Sequence, residues 1–402
     1  MRIVLTGGGT GGHVTPLVAI ADALRRGDAE HALTIPRSRN SGIEVLYVGI
    51  VTELDQRFLE AADISFVHIP SGKVRRYVSG MGSTFTDLLF RLPIGILRAL
   101  WRMYVLMPEV VFSKGGYGSV PVVVASWVYR IPVLMHETDI VPGLSARRLA
   151  FTASAIGVGF RASEKYFSPH KVFVSGTPLR AAFTASPRPA EARKTLGLHD
   201  RKPVIFVTGG SQGAQRINTV VLELLTRLLP ECQFMHQVGT VNFPPIQNLI
   251  AETFRHFPDI HDYHPVAFLD ENAMATAYAA ADLVICRAGG TTLAELAAVG
   301  KPSILIPLRE SANNHQWENA YFFREAGAAI VVDETNLSPP LLESTIRKLF
   351  QNPSGLQLMA SRVRELGRPS AAEDLAQLLV AMGAGYAPRR TATAIMRSPT
   401  SP

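Results

Sequence analysis

Two glycine-rich runs hold the residues best placed to do chemistry. Thr6-Gly7-Gly8-Gly9-Thr10-Gly11-Gly12-His13 lies near the start of the chain, and Thr208-Gly209-Gly210-Ser211-Gln212-Gly213-Ala214 lies near its middle. Each follows a short apolar run and precedes an amphipathic pattern of helical period. A strand, a glycine turn and a helix N-terminus together present backbone N–H groups and a positive dipole end, which suits a phosphate. The first run matches the dinucleotide pattern G-x-G-x-x-G. However, the second strand ends Tyr47-Val48-Gly49-Ile50, with no acid to hold a ribose, and no G-K-[ST] follows to make a Walker loop. The surplus glycine suggests close backbone approach to a diphosphate. His13 follows this loop directly, and a neutral imidazole suits a general base. Capping the helix or holding phosphate is the plainer role, and the residues alone leave both open.

A third segment reads Cys286-Arg287-Ala288-Gly289-Gly290-Thr291-Thr292-Leu293-Ala294-Glu295. An apolar strand gives way to Gly-Gly-Thr-Thr and then to a helix, whose free first-turn N–H groups favour an exposed anion by about 0.3–1 kcal/mol. Glu295 falls one turn inside, where a carboxylate can accept both hydroxyls of a ribose. The alternative is a first-turn glutamate that serves the helix dipole or caps with Thr291 or Thr292. Ser211 offers a hydroxyl to the second loop. Further on, Asn313-Asn314-His315-Gln316-Trp317-Glu318-Asn319 is rich in amides, which read sugar hydroxyls well but also populate helix starts. No Asp-x-Asp pair occurs, so a metal-held diphosphate is not expected; no cofactor is expected either.

These residues need a scaffold. Strand-like runs alternate with helical patterns throughout, which predicts an α/β fold with mostly parallel sheets. Strands are expected near 2–6, 44–49, 64–69, 109–113, 131–135, 155–158 and 171–174, then near 203–208, 232–236, 265–268, 282–286, 303–306 and 328–331. Two similar loops imply two similar domains facing each other across a cleft, and 402 residues suffice for two full cores. Expected bounds are 1–178 for an N-terminal domain and 179–368 for a C-terminal domain. The linker is read at Gly176–Arg180 and the Pro/Ala-rich 185–192. A helix within 369–384 should pack back on the first domain. From Gly385 to the end at 402, Arg, Thr, Ser and Pro without an acid read as a disordered tail.

The net charge of +7 favours anionic partners. There is no aromatic-interleaved basic patch, so nucleic acid is not expected. The first apolar run is a five-residue strand rather than a signal peptide, and no uncharged apolar run reaches membrane-spanning length. Cys232 and Cys286 both sit in apolar runs and read as buried reduced thiols.

In order along the chain, the motifs resemble the MurG family of peptidoglycan N-acetylglucosaminyltransferases. They are Gly8 to Pro16, Lys114-Gly115-Gly116-Tyr117, His136-Glu137-Thr138-Asp139 with Pro142-Gly143-Leu144, Gly176 to Arg180, Gly209 to Ala214, Arg287 to Glu295, and Gln316 with Asn319-Ala320. The resemblance implies a GT-B fold of two Rossmann-like domains. It implies transfer of GlcNAc from UDP-GlcNAc to the 4-hydroxyl of MurNAc in lipid I, giving lipid II with inversion. Gly290, Thr291, Thr292, Leu293, Ala294 and Glu295 would then bind diphosphate and ribose, with Ser211 helping to hold the donor. Leu269 would lie near uracil, Gln316 on the sugar hydroxyls and Arg180 at the hinge. Thr10, Gly11, Gly12 and His13 would face the acceptor diphosphate and the reacting centre. Many members have H-E-x-N where this chain has Asp139, a rival to His13 as base, and His315 stands where a second glutamine is common. A related glycolipid synthase or a UDP-GlcNAc 2-epimerase is the alternative enzyme, and a nucleotide sensor the non-enzymatic one.

A lipid-linked acceptor also implies a visit to the bilayer, placing the protein peripherally on the cytoplasmic side of the cell membrane, beside other cell-wall synthesis proteins. Residues 73–107 suit an anionic membrane surface. Lys73, Arg75 and Arg76 precede Phe85, Leu88, Leu89 and Phe90; beyond them Arg91, Arg98 and Arg102 form one helical stripe beside Ile94, Leu97, Leu100, Trp101 and Val105. A core helix with a solvated arginine stripe is the competing reading.

Overall fold

The computed structural model describes residues 1–8, 14–27, 42–72, 90–210 and 212–396. The chain divides into two compact units: Met1–Arg180 with Arg368–Pro402, and Ala181–Gly367.

The first unit holds seven strands: β1 (Arg2–Thr6), β2 (Glu44–Gly49), β3 (Ser65–His68), β4 (Val110–Ser113), β5 (Val133–Glu137), β6 (Ala155–Val158) and β7 (Val172–Val174). Their order is β3-β2-β1-β4-β5-β6-β7, and every pairing is parallel. The second unit holds β8 (Val204–Thr208), β9 (Gln233–Gln237), β10 (Tyr263–Val266), β11 (Leu283–Cys286), β12 (Ser303–Leu305) and β13 (Ile330–Val331). The same winding recurs there as β10-β9-β8-β11-β12-β13, again all parallel. Such sheets are covered on both faces, so their central strands are continuously apolar rather than alternating; Val-Ile-Phe-Val-Thr of β8 is buried at every position. In both sheets the order reverses beside the first strand of the unit, which is where ligands bind doubly wound folds.

Alternate residues of each strand feed opposite layers. In the first unit Ile3, Leu5 and Phe112 meet Leu17 and Ile20 of the helix Thr15–Arg26, together with Leu375, Leu378 and Leu379 of the helix Ala371–Gly383. Val4, Val111 and Val133 face Ala99, Met103, Val122 and Val123 on the other side. Both cysteines are buried and free.

Two expectations need correction. The stretch 385–402 is not a disordered tail throughout, because Pro388–Ile395 is a helix whose Ala392 and Ile395 join the first unit's core. Its arginines face outward, so composition masked an apolar stripe; residues 397–402 lie outside the described set. Likewise 185–192 is not wholly a linker. Pro189–Thr195 is a helix, with Ala192 packed against Ala279 and Ala280 of the second unit. Deleting residues 387–402 should cost the first unit about 3 kcal/mol, mainly from Ile395. The check is the urea midpoint of the deleted protein; an unchanged midpoint would show that the helix packs without stabilising.

Candidate active site

The second unit carries the better-defined candidate residues. At its switch point β8 and β11 lie side by side, with Thr208 level with Cys286. The glycine loop therefore leaves β8 beside the point where Arg287-Ala288-Gly289 leaves β11. Two features lock the loop. Gly213 has φ +75°, and a β-carbon there would overlap the Val238 carbonyl. Gln237 Nε2 donates to Gly210 O at 3.0 Å. Ser211 lies outside the described residues.

From β11 the chain enters the helix Gly290–Val299, whose start carries no side-chain cap. Thr291 and Thr292 are half-buried on its first turn, while Leu293 and Ala294 point into the core. Glu295 makes no capping hydrogen bond with Thr291 or Thr292. Its Oε2 accepts instead from the Tyr278 hydroxyl at 3.2 Å. Burial, with Glu271 nearby, pushes the Glu295 pKa up to about 8, against the pull of the Tyr278 hydrogen bond. Arg287 is anchored at 2.5 Å to Glu334 and donates to Ile306 O at 3.1 Å.

Leu269 is buried in the turn after β10, next to Asp270, which caps the helix Glu271–Ala280. Gln316 lies on the helix His315–Glu325, and its Oε1 accepts from Leu308 N–H at 2.9 Å. Asn319 is structural: buried, it donates to Ala288 O at 3.0 Å. It thereby ties that helix to the segment leading into Gly290.

In the first unit the glycine loop leaves β1 beside β4, with Thr6 level with Ser113. Gly8 has φ +100° and lies so close to the Tyr47 hydroxyl that a β-carbon would collide with it. Thr10, Gly11, Gly12 and His13 lie outside the described residues, as do Lys73, Arg75, Arg76, Phe85, Leu88 and Leu89. The helix beyond begins at Thr15 with Pro16 in its first turn. Lys114 follows β4 and is buried, which pushes its pKa down against the fields of Glu137 and Asp139. His136 is buried and neutral: burial lowers its pKa to about 3, and Nε2 lies 2.8 Å from Gly176 O. Glu137 shapes the next turn. Its carboxylate accepts from the N–H groups of Thr138 (3.0 Å), Asp139 (3.3 Å) and Gly143 (3.1 Å). Asp139 sits on that turn at the C-terminal end of β5. Arg180 ends the unit, its Nε 4.0 Å from Asp22. Tyr278 had no motif to mark it; the only hint was one aromatic ring in the alanine-rich helix Glu271–Ala280.

Two doubly wound parallel sheets, each with a glycine loop at its switch point, define a GT-B type glycosyltransferase architecture. The glycosyltransferase family 28 N-terminal domain matches residues 3–158, and the family's C-terminal domain matches 204–375. The chain belongs to the MurG family, the UDP-N-acetylglucosamine--N-acetylmuramyl-(pentapeptide) pyrophosphoryl-undecaprenol N-acetylglucosamine transferases. The relative from Legionella pneumophila is 33% identical over 382 residues, covering 94% of this chain and 96% of its own. That from Anaeromyxobacter dehalogenans is 34% identical over 388 residues, 94% of this chain and 92% of its own. The crystal structure of Acinetobacter baumannii MurG superposes with a TM-score of 0.70 at 26% identity, covering 94% of this chain and 99% of that one. A UDP-GlcNAc 2-epimerase from Neisseria meningitidis shares the fold, with a TM-score of 0.64 at 15% identity over 94% of this chain and all of its own.

Proposed function

We propose that the protein transfers GlcNAc from UDP-GlcNAc to the 4-hydroxyl of MurNAc in lipid I, producing lipid II and UDP with inversion at the anomeric carbon. The observation that carries this reading is Glu295. It is held one turn inside the helix that starts at the switch point, with a carboxylate whose only hydrogen bond among the described residues comes from Tyr278. That arrangement suits a diphosphate on the helix start and a ribose diol on the carboxylate. Gly290 to Ala294 hold the diphosphate, Ser211 assists, Leu269 lies against uracil, Gln316 reads the sugar and Arg180 borders the donor. Thr10, Gly11 and Gly12 receive the acceptor diphosphate. His13 takes the proton from the 4-hydroxyl as that oxygen attacks C1 of GlcNAc. The C1–O bond to phosphate breaks, and UDP leaves with the electron pair. Helix N-termini and backbone N–H groups stabilise its growing charge.

Turnover of UDP-GlcNAc with a short-chain lipid I analogue tests the reading. A β-linked disaccharide with one UDP per product is the expected result. UDP released without disaccharide would indicate another acceptor or an epimerase-type cleavage, and neither product would leave a nucleotide-binding protein.

A lipid-borne acceptor requires a membrane-facing surface, and the first unit has one of suitable chemistry. The helix Leu92–Leu106 buries only its small stripe of Gly95 and Ala99, with Met103. Leu97 (67% exposed), Trp101 (65%) and Phe90 (61%) face outward, against the core-helix alternative. Tyr104 links this face to Tyr129, while Trp127 packs edge-on to Phe151, extending the apolar surface. Arg98, Arg102 and Arg130 supply positive charge beside it. No helix among the described residues is long and apolar enough to cross a membrane. We read the face as a peripheral contact with anionic lipid, where each basic residue adds about 1 kcal/mol. Replacing both Leu97 and Trp101 with aspartate should weaken binding to phosphatidylglycerol vesicles by at least about tenfold. Sedimentation with vesicles reads this directly, and wild-type protein that stays in the supernatant at low salt would remove the surface from consideration.

A further inference from the structure

The Glu295 carboxylate is set in place by a residue to which no role in the site has been given. Tyr278 is 1% exposed and sits on the helix Glu271–Ala280, which packs beside the helix bearing Glu295. Its ring is wedged edge-on between Phe206 of β8, at 5.2 Å and 85°, and Phe183, at 6.0 Å and 62°. Two orthogonal aromatic contacts leave the ring little freedom to tilt. The ring therefore fixes the position of the hydroxyl oxygen, and from there it donates to Glu295 Oε2 at 3.2 Å. Oε1 makes no hydrogen bond among the described residues, and Glu295 as a whole is half-buried. The carboxylate is thus oriented at one oxygen and available at the other before any ligand arrives.

We propose that Tyr278 is a positioning residue for nucleotide binding, holding Glu295 in the plane and rotamer that accept a ribose diol. This rests on the donor-site reading given above. A carboxylate already held in its bound geometry loses less entropy when the diol docks. The donated hydrogen bond also favours the ionised carboxylate, the form that can accept two hydroxyls. The other titratable groups facing Glu295 are Glu271 on the same helix as Tyr278 and Cys286 at the end of β11. Burial and its neighbours hold the Cys286 thiol protonated, and Glu271 opposes ionisation of Glu295. Among these groups Tyr278 alone favours the charged state.

The test is isothermal titration of UDP and 2′,3′-dideoxy-UDP into the full-length wild type, Tyr278→Phe and Glu295→Gln proteins at pH 7 and pH 9. Tyr278→Phe keeps the ring between Phe183 and Phe206 and removes only the hydroxyl. It should weaken UDP about tenfold at pH 7, leave dideoxy-UDP unchanged, and recover part of the loss at pH 9. The ratio of the two affinities within one variant is insensitive to a reduced folded fraction, so partial misfolding does not obscure the result. Equal losses for both nucleotides would make Tyr278 a packing residue, and no loss for either would make the hydrogen bond irrelevant; each overturns the proposal. If Glu295→Gln binds both nucleotides as tightly as wild type, the donor-site reading itself falls and the positioning role with it.

Discussion

The His13→Ala protein should lose roughly 10²–10⁴ in kcat while binding UDP within about twofold of wild type. An inverting transfer uses one base, and its removal penalises the transition state alone. The residues proposed to bind the donor all lie on the second unit apart from Arg180, whereas His13 precedes the first helix of the first unit. Nucleotide binding should therefore be indifferent to it. Asp139 is the rival, on a turn that three N–H donors to Glu137 hold rigid. Single-turnover kinetics of His13→Ala and Asp139→Asn, side by side, separate the two. A near-normal chemical step without His13 and a collapsed one without Asp139 would transfer the base to the carboxylate.

Glu295→Ala carries the second large effect, a rise of about 10²–10⁴-fold in the KM for UDP-GlcNAc with kcat within a few-fold. Two hydroxyl hydrogen bonds to an ionised acceptor are worth roughly 1.5–3 kcal/mol each, and the loss falls on ground and transition states alike. The direction of the pH dependence follows from the raised carboxyl. With a pKa of about 8 in the free protein, Glu295 is mostly protonated at pH 7. Ribose hydroxyls donate to the ionised form, so nucleotide binding expels a proton. Affinity for UDP should climb as pH rises toward about 8, by at most about tenfold per unit, and level off above it. Glu295→Ala should flatten that rise. A wild-type affinity independent of pH between 6 and 9 would show that the carboxyl is already ionised before the nucleotide binds.

The parallel sheets were legible because central strands such as Val204–Thr208 and Leu283–Cys286 are buried at every position and apolar at all but Thr208, and glycines mark where they end. Strand β10 was read about two residues late, at 265–268 instead of Tyr263–Val266, because His264 and Pro265 interrupt the apolar signal and its pairing to β9 decides its place. The helix Pro388–Ile395 was missed for a related reason: a one-sided stripe of Thr391, Ala392 and Ile395 is too short to outweigh its arginines. In the site, Glu295 was recognisable from its position one turn into a helix after Gly-Gly. Its partner was not. Tyr278 lies 17 residues away on another helix, and their meeting depends on packing that no local pattern encodes. Gln316 was singled out for sugar contact, but the engagement of its oxygen with Leu308 N–H is likewise a tertiary fact.

The first unit is assembled from both ends of the chain, and this imposes an order on biosynthesis. The helix Ala371–Gly383 lays Leu375, Leu378 and Leu379 against Leu17 and Ile20, and Glu373 pairs with Arg26 at 2.9 Å across 347 positions. Until those last residues leave the ribosome, the surface formed by the helix Thr15–Arg26 stays uncovered, whereas every strand of the second unit has already emerged. The second unit is contiguous in sequence and can close first; the first unit must wait for the helix Ala371–Gly383. A nascent chain stalled near residue 367 would therefore present a finished second unit joined to an exposed apolar face, the form most in need of a chaperone.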